Sequence, residues 1–299
     1  MMKKILVRVG LGLVILIRGC IGAVYAISSM KLAARYDVPV ASIETSTDSV
    51  VIAHGARVAQ TRGCLDCHGE DLSGSHFFDA MPVASIWATN LTSGANGVGA
   101  TYSDEDFVRA IRSGVRPDGS PLLIMPSHEY RPIGPEDLGA LVSWIKSMPP
   151  VDTEPVDQTL GPVARVLYIT GQAPVVPAEL IDHDDPTFEQ PEVGVSVEYG
   201  AYLAVSCIGC HGESFVGGPI PGFPPDFPAA ANLTPHEEAG LGGWSRDDFE
   251  RFVETGITPD GRQLEPMYMP WPLLQAMTDV ERDAVWLFLR SLPAAAQPE

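Results

Sequence analysis

Cations are scarce in this 299-residue chain: 19 Lys and Arg stand against 38 Asp and Glu, a formal net charge of −19. Four of those cations, Lys3, Lys4, Arg8 and Arg18, lie in the first 26 residues, which hold no acid, so the remainder carries −23. A surface of that sign repels phosphate backbones and argues against nucleic-acid binding. It attracts a basic partner, or it serves solubility alone. Charged residues of both signs reach only 19%, below the usual ~25%. A second long apolar run is also missing. Only residues 5–27 form one, which excludes a polytopic membrane protein. The hydrophobic fraction of 45% excludes a disordered chain. Period-2 alternation is sparse, so little β-structure is expected. Gly and Pro are plentiful, 29 and 27 residues, and the length reads as about two compact, loop-rich domains.

The N-terminal run admits three readings. A secretory signal fits the basic start, the short apolar centre and a Val24-Tyr25-Ala26 ending. A lipoprotein signal would use Cys20, but Arg18 occupies a place where a small or aliphatic residue is usual. An uncleaved anchor needs about 20 residues, which Ile5 to Ile27 supplies, with Arg18 inside the bilayer as its cost. All three export the rest of the chain, because the Lys3/Lys4/Arg8 cluster stays inside.

Cysteine is rare, and its placement is informative. Apart from Cys20, the chain holds Cys64-Leu-Asp-Cys67-His68 and Cys207-Ile-Gly-Cys210-His211, two C-x-x-C-H motifs. Other segments recur at nearly the same offset. Asn90-Leu91-Thr92 returns as Asn232-Leu233-Thr234, Pro117-Asp118-Gly119 as Pro259-Asp260-Gly261, and Met125-Pro126 as Met269-Pro270. Two homologous units therefore succeed one another. Short helices are expected at 49–61 and 197–205 ahead of the motifs. In the first closing segment Leu138, Leu141, Val142 and Ile145 trace one helical face. Thr278 with Glu281 makes a capping box for its counterpart. Residues 151–195, with many prolines, read as an extended strap.

C-x-x-C-H is the attachment motif of c-type haem: two thiols on one helical turn form thioethers, and the next histidine binds the iron. Zinc held by both cysteine pairs is one rival, and a disulfide within each pair is another. Neither explains why His68 and His211 come directly after both pairs. A sixth iron ligand is most simply a methionine thioether. Met125 lies 57 residues after His68, and Met269 lies 58 after His211. A gapless register would select Met267 instead, while the Met-Pro pairing selects Met269. His54, His76, His128, His183 and His236 have no counterparts at the repeat offset and read as surface or hydrogen-bonding residues.

On these motifs each unit resembles a class I cytochrome c: helix, C-x-x-C-H, a loop carrying Asn-Leu-Thr, Met-Pro and a closing helix. The pair is similar to membrane-anchored dihaem cytochromes c, and to the haem-bearing units in cytochrome subunits of membrane-bound alcohol and gluconate dehydrogenases. Those subunits have three haem motifs, and this chain has two. The resemblance implies a mostly α fold, with two tandem cytochrome c domains (45–150 and 196–299) joined by a linker (151–195) behind an N-terminal transmembrane helix or signal (1–30). It implies two covalent haem c groups on Cys64, Cys67, Cys207 and Cys210. Their axial iron ligands would be His68, Met125, His211 and Met269. Asn90 and Asn232 would line the haem surroundings. Tyr102 and Trp244 would reach haem propionates, or else serve as plain core aromatics.

The expected function is electron relay between redox partner proteins with basic docking surfaces, at the periplasmic face of the cytoplasmic membrane. No small-molecule substrate is expected at the irons, and the chain is expected to be a carrier rather than an enzyme. Alternatives are a dihaem peroxidase and the electron-accepting cytochrome subunit of a periplasmic dehydrogenase complex. Mass spectrometry of the denatured protein should show two haem additions; a colourless, zinc-loaded protein would overturn this reading.

Overall fold

The structure, a computed structural model, describes residues 2–184, 188–220, 223 and 226–296. Residues 185–187 of the expected linker, 221–222, 224–225 and 297–299 of the expected second domain, and residue 1 of the anchor lie outside them. The chain opens with one long helix, α1 (Met2–Leu32). Its Lys4–Leu32 portion is long and apolar enough to cross a membrane, with an 18-residue window of mean hydropathy 2.1.

A helical unit comes next. Helix α2 (Ser49–Thr61) starts where the Asp48 carboxylate accepts from the Val50 N–H, satisfying an otherwise unpaired donor. The first motif forms a single helical turn, α3 (Cys64–His68). Strands β1 (His76–Ala80) and β2 (Ala84–Trp87) make an antiparallel hairpin. Helix α4 (Asp104–Ser113) carries a Ser103/Asp106 capping box and stops at left-handed Gly114. A short turn, α5 (Ser127–Tyr130), leads to α6 (Pro135–Ser147), whose proline sits at the helix start, where no N–H is needed. Leu138, Leu141, Val142 and Ile145 all face inward and are buried, as their spacing predicts.

Residues 151–195 do not form the extended strap read from their prolines. They contain strand β3 (Thr159–Leu160), which completes a sheet of order β1-β2-β3, and helix α7 (Pro162–Ile169). The prolines misled because Pro162 and Pro177 sit at the first turns of helices, which proline favours. Ala164 and Tyr168 of α7 join Val38, Ile86, Leu160, Val175 and Val176 in a core of their own. Arg165 ties this segment to α1 by donating to Ser28 Oγ (2.7 Å), and Lys31 pairs with Glu179 (3.0 Å).

The element order then recurs: α8 (Val197–Ala204), a 3-10 turn with α9 (Ile208–His211) across the second motif, α10 (Arg246–Thr255) and α11 (Asp279–Ser291). Capping boxes Ser245/Asp248 and Thr278/Glu281 open the last two. Each half has its own core. Val58, Leu72, Phe107 and Leu141 belong to the first, and Tyr199, Phe215, Phe249 and Leu289 to the second.

Opening and closing helices pack as pairs, α2 on α6 and α8 on α11, and a glycine sets each crossing. A Cβ on Gly55 would fall 1.9 Å from the Ala140 carbonyl oxygen, and one on Gly200 would fall 2.0 Å from that of Ala284. The Cβ atoms of Trp144 and Phe288 flank the same two points, so these two aromatics stand against the opening helices. Because the obstructing atoms are backbone, the helices must separate to admit a methyl group. Gly55→Ala and Gly200→Ala should each cost roughly 1–3 kcal/mol or more. Gly194→Ala, where nothing lies within 4 Å, should cost far less. Urea titration of the three variants checks this.

Candidate functional site

The chain leaves the two motifs in the same way. A left-handed glycine comes after each histidine, Gly69 (φ 79°) and Gly212 (φ 72°), and bends the chain out of the helical turn. Three residues further on, Leu72 (φ 57°) and Phe215 (φ 58°) are non-glycine residues in the same left-handed region, a strained conformation for such side chains. Both are buried in the two cores, and their carbonyls accept from Leu91 N and Leu233 N, 2.8 Å in each case. That bond draws the Asn-Leu-Thr loop against the motif in each half.

The loop orients the histidine. His68 Nδ1 lies 2.8 Å from the Thr89 carbonyl, and His211 Nδ1 lies 2.7 Å from that of Ala231. A carbonyl only accepts, so Nδ1 carries the proton and, in the neutral ring, Nε2 keeps its lone pair. Burial pushes both imidazoles below their ordinary pKa against the weaker pull of this bond, which favours the neutral ring. Asn90 and Asn232 are buried and act as struts. Asn90 Nδ2 donates to the Val151 carbonyl (2.8 Å), and Asn232 Nδ2 donates to that of Ala295 (2.6 Å). Their Oδ1 atoms accept from Thr92 N and Thr234 N. Each asparagine thus ties its loop to the chain just beyond the closing helix.

The methionine segments also match. Pro126 (φ −79°, ψ 56°) and Pro270 (φ −76°, ψ 53°) have nearly the same dihedrals. Ser127 N donates to the Met125 carbonyl (2.8 Å), as Trp271 N does to that of Met269 (2.7 Å). Met267 is 74% exposed, whereas Met269 is partly buried. Ile124, just before Met125, is left-handed (φ 67°) and donates to the Val175 carbonyl (3.0 Å), so the segment 151–195 braces the first methionine loop.

In the first half these groups converge on one cavity of about 320 Å³. Cys64, Cys67, His68 and Met125 all line it, together with Trp87, Leu91, Tyr102, Ile111 and Leu141. Tyr102 packs edge-on against Phe107 (5.5 Å), as Trp244 does against Phe252 (5.7 Å), so both matched aromatics are part of the cores. Gln158 also lines the cavity, and its buried Oε1 lacks a hydrogen-bond partner. Burial raises the thiols, Cys64 to about 12 and Cys67 and Cys207 to about 11. An apolar slot carrying two thiols, an imidazole lone pair and a thioether fits a covalently attached macrocycle with a metal at its centre. Among the described residues the cysteines are free of disulfides, and no three Cys, His, Asp or Glu side chains converge as a common metal cage.

A polar network joins the halves. Arg57 donates to His54 Nδ1 (2.8 Å), so His54 Nε2 carries the proton it gives to Asp137 Oδ1 (2.7 Å). Tyr202 Oη, from the second half, donates to Asp137 Oδ2, and Arg57 pairs with Glu281 (3.3 Å). Closer to the motifs, Glu129 packs on the second one: a Cβ on Gly209 would lie 2.5 Å from its Oε1. Buried Arg62 donates across the same interface to Ser206 Oγ (2.8 Å) and to the Leu203 and Tyr202 carbonyls (3.3 Å each). No sequence pattern marks Arg62, since its place in the second unit is held by Val205. None marks the two carbonyls either, because every residue has one. Of the other unmatched histidines, His76 bonds to Ser85, His183 to the Ala178 carbonyl, and His236 Nδ1 accepts from Glu238 N and Ala239 N, while the buried His128 Nδ1 has no hydrogen-bond partner among the described residues.

Residues 197–293 match the cytochrome c family model, so this part of the chain is a cytochrome c domain, a class that carries covalently bound haem c. The chain is homologous, beyond that domain, to cytochrome subunits of dehydrogenases. It is 29% identical over 264 residues to the fructose dehydrogenase cytochrome subunit of Gluconobacter japonicus, covering 82% of this chain and 53% of that one. The alcohol dehydrogenase (quinone) cytochrome c subunit of Gluconacetobacter polyoxogenes is 28% identical over 284 residues, 82% of this chain and 57% of its own length. The gluconate 2-dehydrogenase cytochrome c subunit of Pantoea cypripedii is 25% identical over 281 residues, 84% and 62%. The chain therefore spans little more than half the length of these relatives.

The Asp137 network yields a pH prediction. Burial pushes this carboxyl up, but the bonds from His54 and Tyr202 outweigh it and hold the folded value below the ordinary one. A depressed folded pKa contributes stability above the unfolded value of about 3.9, and that stability is lost as pH falls through the folded value. Wild-type protein should therefore lose more stability between about pH 6 and about pH 3 than Asp137→Asn. Parallel losses in urea titrations would contradict this.

Proposed function

We propose that the chain is a dihaem cytochrome c that relays electrons as the cytochrome subunit of a dehydrogenase, anchored by α1 with both haem units on the exported side of the membrane. The observation that carries the reading is the doubled site: the same positive-φ glycine after each motif histidine, the same Nδ1-to-carbonyl bond and the same Met-Pro backbone in each half. On this reading residues 45–150 and 196–299 are tandem cytochrome c domains. Cys64, Cys67, Cys207 and Cys210 hold two haems. His68 with Met125, and His211 with Met269, would ligate the two irons. Bound haem supplies a one-electron couple at its iron.

The chain's own residues define the rest of the role. The Thr89 and Ala231 carbonyls fix the imidazole tautomer. Pro126 and Pro270 stiffen the backbone beside the thioethers, and the methionines close both irons to outside ligands. Capped irons favour a carrier over a peroxidase. A net charge of −23 beyond the first 26 residues suits a partner with a basic docking face, steered by a field that salt screens. The cytochrome subunits among the relatives support a dehydrogenase as the electron donor.

Optical and redox titration of the purified, full-length protein tests this. Two low-spin haems per chain, unreactive with carbon monoxide, are expected. Met269→Leu should abolish the thioether charge-transfer band of one haem, lower its potential and admit carbon monoxide, while Met267→Leu leaves all three unchanged. The reverse pattern would assign the ligand to Met267, and an open iron in the wild-type protein would favour the peroxidase.

A further inference from the structure

Arg62 is 7% exposed and lies two residues before Cys64. Its guanidinium reaches out of the first half to the C-terminal end of α8, just before Cys207, where it meets two carbonyls and the Ser206 hydroxyl. It also sits over the Tyr202 ring, 5.1 Å from the centroid. On the other side Tyr130, which lines the first cavity, donates to the Arg62 carbonyl (3.2 Å). Capping of helix-end carbonyls by a cation is ordinary. Here, however, the cation comes from another element, is buried, and has no carboxylate within ion-pair distance among the described residues. No carboxylate bonds to it directly, although Glu129 sets an opposite charge against the second motif, and a buried charge acts strongly on its surroundings. That charge reaches both motifs: it lowers the Cys64 and the Cys207 thiols against the larger rise due to burial.

We propose that Arg62 is a shared positioning residue, which locks the two C-x-x-C-H turns in fixed register and raises the reduction potentials of both sites with one buried positive charge. This rests on the two-haem reading. The direction comes from electrostatics: a nearby cation disfavours the iron state with the extra positive charge, so the reduced state gains. The fixed register keeps the path between the sites constant from one electron to the next.

Redox titration of the full-length holoprotein tests the proposal, with the haem count of each variant taken first. Arg62→Gln should lower both midpoint potentials, and Arg62→Lys, which keeps the charge, should restore most of that loss at both haems. Ser206→Ala keeps the charge and the two carbonyl bonds but removes the shortest tie to the second motif, and should lower the second potential alone, by less than Arg62→Gln does. Unchanged potentials in Arg62→Gln, or a shift confined to one haem, would overturn the shared role. Should Arg62→Gln fail to mature with two haems, Ser206→Ala decides, and an unchanged second potential overturns the proposal. A wild-type count of one haem would instead remove the reading on which it stands.

Discussion

Each motif histidine donates its Nδ1–H to a backbone carbonyl, and much of each half is arranged to hold that carbonyl in place. The acceptors, Thr89 and Ala231, stand at the start of loops. Buried asparagines fasten those loops to the chain beyond the closing helices. The closing helices are fixed in turn by packing on the opening helices, at contacts so close that only glycine fits. The opening helices lead directly into the motifs. The order of support is thus circular: helix pair, tail, asparagine, carbonyl, imidazole, motif and helix again. A change at Gly55 or Gly200 acts on the histidine without touching it, because rigid packing passes displacement along such a circuit.

The contacts between the halves are of another kind. Within each half apolar side chains dominate the core, whereas the junction is threaded by Arg57, His54, Asp137, Tyr202, Glu281 and Arg62. Buried polar groups are costly unless satisfied, so a junction of this type tolerates only the arrangement that pairs them. It fixes the orientation of the halves more than it adds stability. The segment 151–195 adds a second tie, bracing the first methionine loop through Val175 and gripping α1 through Arg165.

The repeat, the two C-x-x-C-H turns, the closing helices and the Thr278/Glu281 capping box were legible in the sequence because each depends on residue types at short, fixed spacings. The sheet was not, since β1 is exposed along its whole length and β2 spans four residues, too little for a period-2 pattern. The helix in 151–195 was hidden by prolines that initiate rather than break. Asn90 and Asn232 were recognisable as a matched pair but not as struts, because a repeated asparagine looks the same whether it faces a cofactor or a backbone carbonyl.

What the sequence determined by itself is the chemistry: thiol pairs, imidazoles and thioethers, twice over, in an acidic chain behind an apolar helix. Covalent order along the chain is enough to place a histidine next to a cysteine pair. Only the tertiary structure decided which nitrogen of that histidine carries the proton, which methionine segment has the matching backbone, and that Arg62 lies between the two motifs. Those outcomes depend on carbonyls and side chains brought together from distant parts of the chain, such as Arg62 with Ser206 and Asn90 with Val151. Backbone carbonyls have no residue identity, and a lone arginine has no pattern, so neither leaves a trace that spacing can reveal.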